Sequence, residues 1–164
     1  MLASFGPMTA QPRLNLRQLS PESHRALNAF AFAVDEAAAK SGIEAETVHL
    51  LKVRISQING CSFCLDMHII DARAEGVGEQ RLNLLAAWRH ASGIYSDRER
   101  AALEFAEEIT RLEQSGVGDD VYSRVREAFT EEQTGNLVFI ATAMNSWNRI
   151  AVSSRMVPGH YRRA

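Results

Sequence analysis

The sequence predicts an all-α fold of about seven helices, and two observations support that prediction. Apolar residues recur at every third or fourth position in successive segments, as at Val48, Leu51 and Ile55, which places them on one helical face. Residues that start or stop helices separate these segments. No two segments have the pattern of a strand hairpin, so the predicted fold class is all-α.

The first three predicted helices have clear boundaries. Ser20–Pro21 supplies an N-cap followed by proline at the first helical position, and the helix that it opens stops at Ser41–Gly42. A second helix covers residues 45–59 and ends before Gly60, because glycine readily adopts the left-handed conformation that terminates helices. A third helix begins at residue 61 or 62 and runs to residue 75. Since short connections join antiparallel neighbours, the second and third helices should form a hairpin.

The remaining helices are marked mainly by their first turns. Apolar residues mark a fourth helix around residues 82–88. Ser96–Glu99 is a capping box that opens a fifth helix, and a short sixth helix spans about residues 119–129. A second capping box, Thr130–Gln133, opens a long seventh helix, and Pro158–Gly159 closes the folded part.

Length and charge indicate an ordinary globular protein. The 164 residues favour one domain, which we place at residues 14–161 behind a loose N-terminal segment, residues 1–13. The net charge of −2 gives no electrostatic reason to expect nucleic acid or an anionic membrane as a partner. No apolar run approaches the ~20 residues of a membrane span, and residues 1–10 lack the regions of a signal peptide. We therefore expect a soluble, cytoplasmic protein.

The chemistry of the chain centres on its two cysteines, Cys61 and Cys64. A bridge between them would close a very short loop and stabilise the fold little, so the C-x-x-C spacing indicates redox chemistry or metal binding instead. They follow Gly60 at a predicted helix start, where free N–H groups and the helix dipole favour a thiolate. His68 lies four residues after Cys64 on the same helical face, where it is placed to take or return a proton.

A second histidine, His49, allows two interpretations. It lies eleven residues before Gly60, and His68 lies eight after it. In an antiparallel hairpin their axial mismatch would be only about 4–5 Å. His49, His68 and Cys64 would then form a proton relay around one pocket. Alternatively, both histidines and both cysteines would form a zinc site, although two long helices are an unusual source of such ligands. The other histidines lack a partner at a useful spacing and are expected at the surface: His24, His90 and His160.

The stretch from His49 to His68, HLLKVRISQINGCSFCLDMH, resembles the core of the carboxymuconolactone decarboxylase/AhpD-like alkylhydroperoxidase superfamily. The Asn-Gly-Cys-x-x-Cys-x-x-x-His pattern is the most specific part of the resemblance. Ala87–Arg89 and Asn145–Arg149 look like further segments of its cysteine-containing, AhpD-like branch. The decarboxylase branch generally lacks the cysteine pair, which argues against lactone decarboxylation.

The resemblance implies an all-helical fold around the cysteine-bearing hairpin, assembled as trimers or hexamers. It also implies an antioxidant peroxidase, free of cofactors, that reduces organic hydroperoxides. By the same resemblance Cys64 would attack the peroxide, Cys61 would resolve the product as a disulfide, and His68 would belong to the proton relay. An external dithiol would regenerate the thiols. His49 stands where the best-known relatives have a glutamate, and Phe63 stands where they have a histidine, so the relay is expected to differ from theirs.

Two other functions remain open from the residues alone. The first is a general dithiol–disulfide oxidoreductase or redox sensor, which would use the same cysteines without peroxide specificity. The second is a non-enzymatic structural protein with an inert or zinc-loaded C-x-x-C.

Overall fold

The computed structural model describes residues 11–113 and 115–163, and every regular element in that part of the chain is helical. The all-α prediction is confirmed. The elements follow in chain order as α1 Leu16–Leu19, α2 Pro21–Lys40, α3 Ala45–Ile58, α4 Ser62–Ala74, α5 Glu79–Leu84, a 3₁₀ helix Leu85–His90, α6 Asp97–Arg111, α7 Asp119–Ala128 and α8 Glu131–Ser154. None of the described helices combines the length and apolar character that a membrane span requires.

The N-terminal region differs in detail from the prediction. A short helix, α1, precedes α2, and its N-cap Asn15 accepts the backbone N–H of Gln18 at 3.3 Å. One turn carries too little periodicity to be recognised from sequence. Of the predicted loose segment, residues 1–13, the first ten lie outside the described residues. Arg13 is held, because its backbone N–H donates to the carbonyl of Ser154 at 3.0 Å.

The predicted fourth helix is divided into two short elements. α5 ends at Leu84 and a 3₁₀ helix follows, with Ala87 outside helical geometry at φ −113° and ψ 23°. This irregular turn brings the indole of Trp88 against α6, where the side chain is almost completely buried. A tertiary contact of this kind leaves no periodic signal, which explains why the sequence predicted one continuous helix.

The predicted caps of the long helices are present, with one exception. Both capping boxes form reciprocally: Ser96 with Glu99 at the start of α6, and Thr130 with Gln133 at the start of α8. Ser20 occupies the N-cap position of α2 and proline follows it, but its hydroxyl makes no capping hydrogen bond. The boundary of α2 therefore depends on proline more than on the serine side chain.

The core is centred on α3 and α8. α3 packs against α4, α6 and α8, while α8 also packs against α2. Aliphatic side chains of these helices are the largest fully buried groups, and burying each contributes roughly 2 kcal/mol. They include Leu50, Leu51, Ile55, Leu103, Leu137 and Ile140.

A buried carboxylate links α6 to α3 and to the 3₁₀ helix. Glu107 is fully buried and accepts from Arg54 Nε at 2.6 Å, Trp88 Nε1 at 2.8 Å and Arg111 Nη1 at 2.9 Å, and also from Arg89. Burial alone raises the pKa of the Glu107 carboxyl, but these hydrogen bonds more than offset it and lower the pKa to about 2. The charge is therefore retained and fixes three segments of the chain.

The hairpin of α3 and α4 places the cysteines. α3 ends in a Schellman motif, in which Gly60 N–H donates to Gln57 O at 3.2 Å and Cys61 N–H donates to Ser56 O at 3.0 Å. Gly60 adopts φ +64°, a conformation that costs side-chain-bearing residues energy. Cys61 is then the N-cap of α4. One tight turn thus terminates α3 and starts the helix that carries Cys64 and His68.

Candidate functional site

Cys61 and Cys64 are joined as a disulfide at the start of α4, with Cα atoms 5.3 Å apart. The backbone N–H of Cys64 donates to Cys61 Sγ at 3.3 Å, so a cysteine sulfur caps the helix. Both residues are nearly inaccessible, at 1% and 2% exposure. Large surfaces such as a folded protein substrate therefore do not reach either sulfur directly.

Cys64 opens onto a cavity of about 300 Å³ between α2, α3, α4 and α8. His68 and Lys52 share its wall with Cys64, and most of the remaining lining is apolar. The apolar wall comes largely from α8 and includes Ile140, Met144 and Trp147. The cavity thus combines a sulfur, the imidazoles of His68 and His24 and the Lys52–Asp35 ion pair with a largely apolar lining that suits a small, largely apolar molecule.

His68 is buried against the cavity as a neutral imidazole. Burial, then the charge of Lys52 and then His49 lower the pKa of His68 to about 3. Its Nδ1 atom has no hydrogen-bond partner among the described residues, and the nearest carboxylate oxygen, Asp71 Oδ2, is 3.9 Å away. Because His68 lines the cavity, its imidazole is near any group that enters there, although the Nδ1 atom itself is shielded from solvent.

Lys52 is a cavity residue that the sequence analysis did not single out. Its ammonium pairs with Asp35 of α2 at 2.7 Å, and both residues line the cavity. The side chain of Lys52 is only 15% exposed. The sequence does hold a signal, since Lys52 lies four residues after Val48 and three before Ile55, on the apolar stripe of α3. A lysine in such a position is either a buried cation or lies at the edge of a cavity.

His49 lies outside this arrangement. It is not among the residues that line the cavity, although it is near enough to lower the pKa of His68. Burial and then Lys52 lower its own pKa, partly opposed by Asp71 and other carboxylates. The structure therefore brings Cys64 and His68 together at one cavity and leaves His49 behind them.

Histidine placement differs from the prediction at His24. The sequence predicted His24 at the surface, but it is only half exposed and lines the cavity. Its ring meets the edge of Trp147, with the ring centroids 5.3 Å apart. Both residues come from distant helices, α2 and α8, so their approach depends on tertiary packing. Trp147 is thereby part of the cavity wall.

Metal binding receives no geometric support. Across residues 11–113 and 115–163, no group of three histidine, cysteine or acidic side chains converges as a ligand set. The four residues of the zinc alternative do not meet, since Cys61 and Cys64 are bonded to each other and His49 lies apart.

A second cleft, of about 400 Å³, lies on the Cys61 side of the disulfide. Its walls are the turn Gly60–Phe63, the end of α8 at Ala151–Val152, and residues 155–158. Cys61 lines this cleft and Cys64 does not, whereas Cys64 lines the apolar cavity and Cys61 does not. Phe63, Ala151 and Met156 border both spaces.

The segment after α8 runs back along α4 and forms the outer wall of that cleft. Two side chains of α4 and that of its C-cap residue hold it in place. The pairs are Asp66 Oδ2 with Gly159 N–H at 2.8 Å, Asp71 Oδ1 with the Tyr161 hydroxyl at 2.8 Å, and Glu75 with Arg163.

A cluster of amides anchors the turn before Cys61. Asn59 Nδ2 donates to Asn145 Oδ1 at 2.8 Å and to Asn148 Oδ1 at 2.9 Å. Asn148 Nδ2 in turn donates to Ser56 Oγ at 3.2 Å, and Asn145 Nδ2 donates to Thr110 Oγ1 at 3.1 Å. Because these groups are buried or half-buried, each hydrogen bond satisfies a polar atom that would otherwise be costly. The cluster fixes the end of α3 against α8.

Lowering the pH should reduce the free energy of unfolding of the disulfide form, because His68 is harder to protonate in the folded protein than in the unfolded chain. Its folded pKa of about 3 lies below the ordinary 6.5, so the neutral ring stabilises the fold above pH 6.5. That contribution is lost progressively as the pH falls from 6.5 towards 3. Between pH 7 and pH 5 the loss should be about 2 kcal/mol. His68→Gln should remove this part of the pH dependence of urea unfolding.

A matched control for this prediction is His90→Gln, which changes an exposed histidine. It should keep the pH dependence of the parent. Equal slopes for the parent and His68→Gln would show that His68 does not titrate as its burial requires.

The fold and the site together define an all-helical dithiol protein in which paired cysteines start a buried helix and a histidine lies one turn later. The chain belongs to the carboxymuconolactone decarboxylase family, whose model matches residues 21–108. It is 41% identical over 141 residues to the uncharacterized protein YdfG of Bacillus subtilis (strain 168), an alignment that covers 86% of this chain and 92% of that protein.

Two solved structures share the fold. A protein of unknown function from Agrobacterium tumefaciens, described with a suggested role in AhpD-type antioxidant defence, has a TM-score of 0.82 and 36% identity. That match covers 92% of this chain and 100% of the other. The AhpD core of a peroxidase-related protein from Ralstonia eutropha JMP134 has a TM-score of 0.74 and 23% identity, and the match covers 88% of this chain and 74% of the other. The all-helical, AhpD-like architecture is thus established.

Proposed function

We propose that the protein is a thiol peroxidase that reduces small organic hydroperoxides with the Cys61–Cys64 pair. The observation that carries the proposal is the apolar cavity at which Cys64, His68 and Lys52 meet. A hydroperoxide needs a nucleophilic sulfur, a nearby proton carrier and an apolar space for its organic group. The cavity offers all three.

The oxidative step begins at Cys64. Its thiolate attacks the terminal oxygen of ROOH, the O–O bond breaks, and the sulfur becomes a sulfenic acid while the alkoxide leaves. Position in the first turn of α4 and the ammonium of Lys52 both favour the thiolate. The alkoxide takes a proton from His68, or from a water that His68 holds, and leaves as the alcohol.

His68 has a low pKa in the disulfide form because the ring is buried and because the charge of Lys52 lies near it. A Cys64 thiolate one turn away raises that pKa by electrostatic attraction. His68 is therefore suited to accept the thiol proton as Cys64 ionises and to pass it to the alkoxide. In this scheme His49 acts only through its effect on His68.

The second step forms the disulfide. The Cys61 thiol attacks the sulfenic sulfur of Cys64, an S–S bond forms, and water leaves. An external dithiol then reduces the disulfide and becomes oxidised itself. Two electrons from that dithiol thus convert one hydroperoxide into one alcohol and one water. A cytoplasmic location, where dithiols are kept reduced, is part of the proposal.

The burial of the cysteines favours this function over general disulfide exchange. At 1% and 2% exposure, Cys61 and Cys64 cannot meet a disulfide on the surface of a folded protein without rearrangement. A hydroperoxide with a modest organic group fits the cavity as it stands.

A homo-oligomer, either trimer or hexamer, belongs to the proposal as well. Phe32 on α2 is 68% exposed and Phe139 on α8 is 53% exposed, so two neighbouring helices present large apolar groups to solvent. Such groups are typical of surfaces that associate.

The proposed function is tested by the stoichiometry of one turnover. The reduced protein should lose both thiols for each cumene hydroperoxide added, and one equivalent of cumyl alcohol should appear. Stopped-flow mixing should show a rate well above that of free cysteine at the same pH. A rate equal to that of free cysteine, or thiol loss without alcohol, would reject the peroxidase function.

A further inference from the structure

The two sulfurs of the disulfide face different spaces. Cys64 lines the apolar cavity with His68, whereas Cys61 lines the second cleft, between the turn Gly60–Phe63 and the segment that ends α8. Phe63, Ala151 and Met156 line both spaces, so the two spaces adjoin along these side chains. Each sulfur of the disulfide therefore has its own adjoining space, so two different reactants can approach the bond from two sides.

We propose that the second cleft is the binding site of the reducing dithiol and that this dithiol attacks Cys61. The inference rests on the proposed function, because it assigns the reducing partner of the same cysteine pair. The peroxide and the reductant would then use opposite sides of the disulfide and would not compete for one space.

The chemistry of attack at Cys61 is balanced. One thiolate of the external dithiol bonds to Cys61 Sγ, the Cys61–Cys64 bond breaks, and its electron pair leaves on Cys64 as a thiolate. The second thiol of the reductant, once deprotonated, then attacks the reductant's first sulfur, which is bonded to Cys61 in the mixed disulfide. This step releases the Cys61 thiolate, which is protonated. The products are the oxidised reductant and the protein dithiol.

The leaving group supports this direction of attack. Cys64 leaves in the first turn of α4, where the helix dipole and free N–H groups favour a thiolate, and into a cavity that the Lys52–Asp35 pair also lines. A thiolate that leaves readily speeds exchange. Reduction from the second cleft therefore delivers Cys64 directly in the form that attacks peroxide. Attack at Cys64 would instead require the reductant to enter the cavity and would leave the new thiolate on Cys61.

The shape of the cleft defines the class of reductant. Apart from Ser62 and Arg155, the side chains around Cys61 in its walls are apolar, and most of them are aliphatic, such as Val152, Val157 and Pro158. Because Cys61 is only 1% exposed, the approach suits a slender aliphatic dithiol rather than the surface of a folded thiol protein.

Two variants with the same added side chain separate the two spaces. Val152→Phe places a ring in the second cleft from a residue that is 47% exposed and does not line the cavity. Ala31→Phe places the same ring in the cavity from α2, and Ala31 does not line the cleft. Each protein is oxidised with diamide, and its reduction by dithiothreitol is followed by thiol counting. Oxidation of the reduced proteins by cumene hydroperoxide is measured separately.

The two variants should have opposite effects on reduction and on oxidation. Val152→Phe should slow reduction about tenfold or more and leave oxidation within about twofold of the parent, because access limits thiol exchange. Ala31→Phe should slow oxidation by cumene hydroperoxide and leave the rate of reduction close to that of the parent. Ser62→Phe, which enters the cleft from the exposed first residue of α4, should repeat the Val152→Phe result if that variant fails to fold. Reduction slowed only by Ala31→Phe, or by neither variant, would overturn the assignment.

Chemical trapping provides an independent readout. Oxidised protein mixed with 2-mercaptoethanol and quenched rapidly with iodoacetamide should carry the mixed disulfide on Cys61 and the alkyl group on Cys64. The reverse labelling would overturn the proposal. Since diamide supplies the oxidised form, these measurements stand even where peroxide fails to oxidise the parent, which is the separate failure of the peroxidase function.

Discussion

Cys64→Ser should abolish peroxide-dependent oxidation of a dithiol, lowering the rate by about a thousandfold or more. A serine hydroxyl is not ionised at neutral pH and does not attack a peroxide oxygen, whereas the cavity, His68 and Lys52 remain in place. The measurement is consumption of cumene hydroperoxide in the presence of excess dithiothreitol. The fold should be retained, because serine is smaller than cysteine and a disulfide over so short a loop adds little stability.

Cys61→Ser is the matched comparison, since it removes the other sulfur. This variant should still react once with peroxide and gain one oxygen atom on Cys64, detectable by mass spectrometry and by trapping with dimedone. It should not form the internal disulfide. A Cys64→Ser protein that consumed peroxide at the parental rate, or a sulfenic acid found on Cys61 in the parent, would show that the roles of the two sulfurs are reversed or absent.

Glu107→Gln should destabilise the protein by about 3–5 kcal/mol, the largest effect on stability that we expect from a single isosteric change. The carboxylate is fully buried and joins Arg54, Trp88 and Arg111. Glutamine keeps the shape but removes the charge, so the guanidinium of Arg54, 12% exposed, loses its counter-charge. Urea unfolding of the oxidised protein at pH 7 measures the loss.

The control is Glu36→Gln, which removes a surface carboxylate that faces Lys40 at 3.7 Å one turn away. It should change stability by less than about 0.5 kcal/mol. The pH gives a second readout for Glu107. Its pKa of about 2 lies below the ordinary 4.5, so its contribution is complete above pH 4.5 and is lost as the pH falls towards 2. Unfolding of Glu107→Gln at the parental urea concentration would contradict the structural role.

The helices were predictable because their signals are local. The capping boxes at Ser96 and Thr130 and the stop at Gly60 each act within one turn, and the structure has them where the sequence indicates. The pairing of Cys64 with His68 on one face follows from helical geometry in the same way. The 3₁₀ helix at Leu85–His90 was missed because it depends on a buried contact between Trp88 and α6, which leaves no local signal.

The cavity was only partly predictable because residue counts fix positions along a helix but not its rotation against a neighbour. His49 lies eleven residues before Gly60 and His68 lies eight after it, and these counts gave their axial positions along the hairpin. Packing of α3 against α4 and α8 then turned Lys52, rather than His49, towards Cys64. His24 and Trp147 lie more than a hundred residues apart in sequence, and no local pattern predicts their contact.

The amide cluster around Asn59 restrains the Cys61 side of the hairpin more firmly than the Cys64 side. Cys61 is tied to α3 through the carbonyl of Ser56, and α3 is tied to α8 through Asn59, so that side of the disulfide resists displacement. Reduction of the bond lets the sulfurs move apart, and we expect the first turn of α4 to take up that displacement rather than the anchored turn at Cys61. Cys64 would then shift relative to the cavity that it lines, so the cavity should differ in shape between the oxidised and reduced forms.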